Sequence, residues 1–187
     1  IVIDSTLEVT QHFCTRNSLL SNDHVTQIEN VNGSLYISTF RGLNTAVFTP
    51  LRWIDQLNSG IDNEVLSIAE GQKGDIWIGT YGGVFAQPPI SSTASLTSSG
   101  LKDTHMGDIR AMDLALTQNY ALIGTWESGL IQTTFDVDDS PPKRNPKRKI
   151  VIPGSITKIY LSNNGTAWIG NYNGELYKYR SMSGDEP

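Results

Sequence analysis

Four short turns carry an aromatic side chain at the same point of a recurring pattern: Phe40-Arg41, Tyr81, Trp126-Glu127 and Tyr172-Asn173. Aromatic faces flanked by Arg, Glu and Asn suit a small polar ligand, a carbohydrate above all, because flat sugar faces stack on rings while polar neighbours fix orientation. Upstream of these turns stand Asp23 and His24, Asp62 and Glu64, His105, and Ser155. The expected ligand-binding residues are therefore Asp23, His24, Arg41, Tyr81, Trp126, Glu127 and Tyr172. A plainer role is open to the same aromatics, which could cover a small residue in a neighbouring strand and pack between repeats. Trp126-Glu127 and Arg41 point past it, since packing does not require a charge beside the ring.

Other chemistry finds little footing. His12, His24 and His105 share no metal-ligand spacing, and Asp136-Val137-Asp138-Asp139 lacks the Gly and distal Glu of a calcium loop. With one cysteine, Cys14, neither an internal disulfide nor a thiolate zinc cluster can form. No nucleophile elbow, phosphate loop or dinucleotide fingerprint occurs. A lyase or glycosidase would need a positioned carboxylate pair or a base, and nothing in the spacing of Glu64 and Glu127 supports one. No catalytic residue, metal or cofactor is expected. The net charge of −5 argues against nucleic acid as a partner, because sequence-independent binding needs many phosphate-facing cations. No apolar run approaches the ~18 residues of a membrane span, and Ile1-Val2-Ile3-Asp4 shows no signal-peptide pattern.

The elements that must hold those turns come from a repeat. Its clearest member is Ile76-Trp77-Ile78-Gly79-Thr80-Tyr81-Gly82-Gly83-Val84, echoed at residues 35–43, 121–130 and 167–176. The small central residue (Ser38, Gly79, Gly124, Gly170) recurs after 41, 45 and 46 residues. That period is close to the ~40–45 residues of a four-stranded propeller blade. Some 13–15 residues before each small residue lies a β-branched run: Val25-Thr26-Gln27-Ile28, Val65-Leu66-Ser67-Ile68, Ile109-Arg110-Ala111-Met112 and Ile156-Thr157-Lys158-Ile159. Asn32-Gly33, Lys73-Gly74-Asp75, Gln118-Asn119 and Asn163-Asn164-Gly165 separate the runs and tolerate the positive φ of tight hairpins.

The unit reads as inner strand, tight turn, second strand, aromatic turn, third strand and outer strand. In the first repeat the third strand is expected at 44–48 and the outer one at 51–54. Glycine inside a strand is costly unless another backbone comes close, so its recurrence predicts tight approach of a neighbouring blade. Expected repeats are 17–57, 58–98, 99–152 and 153–180, within one propeller segment over 1–187. Residues 5–13, where Leu7–Phe13 alternate apolar and polar, are expected as an outer strand. The Pro- and Lys/Arg-rich stretch 140–149 is expected to be an insertion without strand structure, on the end opposite the aromatic turns. Four such units could close a ring, with residues 5–13 completing the fourth blade, or could be a slice of a larger ring. The slice fits better.

Ser21-Asn22-Asp23-His24-Val25 and Ile76–Val84 resemble the two-component regulator propeller repeat. The likeness spans roughly 17–180; the third repeat departs with an extra residue at Glu127-Ser128, and the fourth has Asn171 in place of Thr. The resemblance implies an all-β propeller fold and a non-enzymatic, ligand-sensing input domain of a membrane-bound bacterial sensor kinase, hybrid regulator or diguanylate cyclase. It further implies a periplasmic or extracellular location. Its partners would be the remaining blades or domains of the same sensor, a small ligand, and in some cases a second copy in a homodimer. A protein-interaction scaffold without a small ligand is the alternative.

Overall fold

Short β-branched runs broken by Gly and Asn turns leave no stretch long enough for a helix, and the described residues contain strands alone. The structure, a computed structural model, describes residues 2–3, 9–48, 51–57, 64–71, 74–87, 102–103, 109–117, 119–134 and 147–180. A hairpin of β1 (Val2–Ile3) and β2 (Val9–Gln11) precedes four antiparallel meanders. The first is β3 (Val25–Val31), β4 (Ser34–Thr39), β5 (Gly42–Phe48) and β6 (Leu51–Leu57). The second is β7 (Val65–Glu70), β8 (Ile76–Thr80), β9 (Gly83–Gln87) and β10 (Lys102–Asp103). The third is β11 (Ala111–Leu116), β12 (Tyr120–Thr125), β13 (Leu130–Thr134) and β14 (Lys147–Ile152). The fourth is β15 (Ile156–Leu161), β16 (Thr166–Asn171) and β17 (Leu176–Arg180).

These are β-propeller blades. Inner strand β3 packs beside β7, β7 beside β11 and β11 beside β15. Three apolar clusters lie between successive blades. Tyr36 and Leu43 meet Val65, Ile68 and Ile78; Trp77 and Val84 meet Ala111, Leu114 and Ile123; Leu122 and Leu130 meet Ile156, Ile159 and Ile169. At two of the four positions the small residue meets the following blade as predicted, although the first atom a Cβ on Gly79 would touch is Ser67 Oγ of its own blade. A Cβ added to Gly79 would lie 3.0 Å from the Ala111 carbonyl oxygen, and one on Gly124 would lie 2.8 Å from Ile156 Cγ2, both in the following blade.

Several strands differ from expectation. β5 and β6 extend beyond the expected 44–48 and 51–54, and the third inner strand starts at Ala111 rather than Ile109. The expected strandless insertion 140–149 is corrected at its end: Lys147, Arg148 and Lys149 pair with Thr134, Thr133 and Gln132. Like charges did not forbid the strand because it is the outer one, where the far edge faces solvent. The rest of that insertion, with its expected location, lies outside the described residues. Within 5–13, Val9–Gln11 pair with Val2–Ile3, and the fourth sheet ends at β17 without them.

The molecule is an open arc among the described residues. No packing of comparable extent joins β15 to β3, and the end blades expose what inner blades bury. Leu43, Val84 and Leu130 are fully buried, yet their equivalent Leu176 is 70% exposed; Trp77 is fully buried, yet Trp168 is 40% exposed. A Cβ on Gly170 would find nothing nearer than Thr157 Oγ1 at 4.0 Å.

Candidate functional site

The aromatic turns are built by one hydroxyl device. Thr39, Thr80 and Thr125 end the second strands and donate from Oγ1 to the carbonyls of Gly42, Gly83 and Gly129 at 3.0, 3.0 and 2.7 Å. Thr39 and Thr80 also accept from the N–H of Arg41 and Gly82. Asn171 performs this task with its amide oxygen, accepting from the N–H of Asn173 and Glu175 at 3.1 and 2.8 Å. The amide of Asn171 donates to the Glu175 carboxylate, as does the Tyr177 hydroxyl, and these bonds hold the Glu175 carboxyl below its ordinary range.

The turns meet the loops that enter each blade, as the alternation of strand direction requires. Phe40 N–H donates to the His24 carbonyl (3.2 Å), Trp126 N–H to Arg110 (3.0 Å) and Tyr172 N–H to Ser155 (2.9 Å). Loop ends gathered on a rigid scaffold are where binding sites concentrate.

Asp23, His24 and Arg41 come together around an open concavity of about 640 Å³, lined also by Thr15, Leu20, Ser21 and Asn22. The His24 ring stacks on Phe40 with centroids 3.9 Å apart and planes 9° from parallel. Asp23 has a structural duty: it accepts from Thr15 N–H at 2.6 Å and Thr15 Oγ1 at 3.3 Å, closing the loop that forms one wall. Arg41 is exposed at the concavity and carries five guanidinium donors.

Trp126 and Tyr172 form a second pair at the boundary of the third and fourth blades, edge to face, with centroids 5.0 Å apart. Glu127 beside them is exposed and takes φ 149°, a conformation that side chains rarely adopt. Tyr81 is exposed on the second blade's turn. The seven expected residues thus fall into two groups plus Tyr81, rather than one platform. Asp62 and His105 lie outside the described residues. Glu64 is exposed, and Ser155 acts through its carbonyl.

One contributor escaped the sequence reading. Asn44, fully buried on β5, accepts from Ser21 N–H and Oγ at 3.1 and 2.9 Å and donates to the Leu19 carbonyl at 2.9 Å. It anchors the loop that shapes the concavity. A signal was present, because the equivalent positions hold Phe85, Ile131 and Tyr177. A buried amide in an apolar register needs partners, and here the loop supplies them.

Among the described residues no group of three His, Cys, Asp or Glu could hold a metal ion, and no helix is long and apolar enough to cross a membrane.

Comparison with known proteins agrees with this geometry. The two-component regulator propeller family matches residues 59–82. The extracellular domain of a hybrid two-component system from B. thetaiotaomicron superposes with TM-score 0.73 at 22% identity, over 96% of this chain and 24% of that one. The extracellular domain of a second such system from the same organism gives TM-score 0.65 at 18% identity, over 88% of this chain and 23% of that one. A computationally designed protein, Ika4, matches with TM-score 0.59 at 13% identity over 92% of this chain and 95% of its own. No curated protein matches by sequence. The chain spans about a quarter of the length of the extracellular domains it resembles. Residues 59–82 match the two-component regulator propeller repeat, within a chain that has the β-propeller fold.

Proposed function

We propose that this chain is an arc of a larger ligand-sensing propeller, the extracellular or periplasmic input part of a membrane-bound signalling protein. The observation that carries the sensing role is the loop-lined concavity at Asp23, His24 and Arg41, with the His24–Phe40 stack at its side. A saccharide would stack on ring faces there and hydrogen-bond to Arg41, while Asn44 and Asp23 hold the wall in place. The Trp126–Tyr172 pair, with Glu127, offers a second stacking surface. The arc reading draws support from the apolar faces of the end blades and from the length of the extracellular domains that resemble the chain. Signal would arise if ligand stabilised one arrangement of domains over another, shifting an equilibrium by its differential affinity.

A thermal-shift screen with neutral and acidic saccharides tests the reading. A ligand at 100 times its Kd adds about 2.7 kcal/mol, or roughly 5–10 °C at ~2–4 °C per kcal/mol for a domain of this size. Arg41→Ala and Phe40→Ala should abolish the shift. A ligand whose affinity is untouched by these changes and by Trp126→Ala would move the site elsewhere.

A further inference from the structure

Every inner strand carries a register irregularity at the same place, between Val25 and Gln27, Val65 and Ser67, Ala111 and Asp113, and Ile156 and Lys158. Such a bulge re-aims the side chain that follows it. At two of the three blade boundaries that third residue grips the next inner strand at its fourth. The Gln27 amide accepts from Ile68 N–H at 3.0 Å and donates to the Ile68 carbonyl at 2.9 Å. The Asp113 carboxylate accepts from Ile159 N–H at 2.7 Å. Ser67 is too short to do the same, and its hydroxyl lies buried without a partner.

Ile28 occupies the gripped position in the first blade. It sits opposite Ile37 as Ile68 sits opposite Ile78 and Ile159 opposite Ile169, so its N–H and C=O face the same free edge. Its side chain is 56% exposed where Ile68 is 2% exposed. We propose that Ile28 is the docking point for the inner strand of a preceding blade of the same repeat, whose third residue is Gln, Asn, Asp or Glu. Continuity with the Gln27 and Asp113 grips selects this partner. Closure by the fourth blade, from this chain or a second copy, would place Lys158 there. An ammonium has three donors and no acceptor, so the Ile28 N–H would stay unpaired, and Lys158 already binds Asp113 at 3.2 Å. The inference rests on the arc reading and adds the chemistry of its missing neighbour.

Amide hydrogen exchange tests it. In the 187-residue chain, Gln27→Met keeps the side-chain shape but removes both bonds, and should speed exchange at Ile68 about five- to tenfold, the loss of one ordinary hydrogen bond. In the full-length protein, exchange at Ile28 should slow by a similar factor relative to the 187-residue chain, and Ala at the third residue of the preceding inner strand should reverse it. Unchanged Ile68 exchange in Gln27→Met would overturn the grip itself. Equally fast Ile28 exchange in both proteins would overturn the docking point. Quencher access to Trp168 separates the two ideas: shielding in the full-length protein with Ile28 still fast keeps the arc and sinks the docking point, whereas equal access sinks the arc as well.

Discussion

Gly124 and Gly170 occupy equivalent positions with opposite surroundings, so the same substitution should have opposite effects. An alanine Cβ at 124 would meet Ile156 Cγ2 at 2.8 Å and Ile156 Cβ at 3.3 Å, and Ile156 is fully buried. Relief requires the fourth blade to shift, and overpacking of this kind costs about 1–3 kcal/mol. At 170 the nearest atom lies at 4.0 Å, and no positive φ is required. There the lost flexibility of glycine in the unfolded chain should dominate, a gain of about 0.5–1 kcal/mol. Urea unfolding of Gly124→Ala and Gly170→Ala in the 187-residue chain would measure the difference, about 1.5–4 kcal/mol if the urea dependence is unchanged. In a longer protein with a fifth blade against β17, Gly170→Ala should become as harmful as Gly124→Ala. Equal destabilisation by both in the short chain would refute the idea that the glycines exist to admit the next blade.

Asn44→Leu should cost about 1–3 kcal/mol by removing the acceptor of the Ser21 N–H and the amide that donates to the Leu19 carbonyl, and protease cleavage within 12–24 should quicken; unchanged cleavage would mean the loop is held by other contacts. Burial raises the Asp113 pKa above 3.8, against the opposing pull of the Ile159 N–H and Lys158. The native state then holds a proton that the unfolded chain has lost, so this group's contribution to stability falls as pH rises from about 3.8 through the raised native value. Asp113→Asn keeps an acceptor for Ile159 and cannot titrate. It should gain on the wild type across that window, as urea midpoints from pH 4 to 7 would reveal, and a pH-independent difference would contradict the burial account. Thr125→Val should cost about 1 kcal/mol by uncapping the third turn, and should weaken the Trp126–Tyr172 contact, read as a change in near-ultraviolet circular dichroism.

The blade plan was legible because each blade is local. Hairpin turns need Asn and Gly at fixed places, strands need alternating β-branched runs, and Thr39, Thr80 and Thr125 need only reach a carbonyl three or four residues away. Period, strand order and the end of the molecule that carries the aromatic turns therefore follow from residue types alone. Gly79 and Gly124 even announced the close approach of the next blade. Partnerships between blades were not legible, since they join residues some 40 apart whose side chains are aimed by a bulge that no local pattern marks. Gln27 holding Ile68 and Asp113 holding Ile159 are of this kind, and Asn44 holding the 19–21 loop, 23 to 25 residues away, is non-local too. So is the fate of the seven candidate site residues. Their shared end was set by strand direction, but only blade rotation and loop path decided that His24 stacks on Phe40, that Asp23 is spent on Thr15, and that Trp126 meets Tyr172 instead of Tyr81.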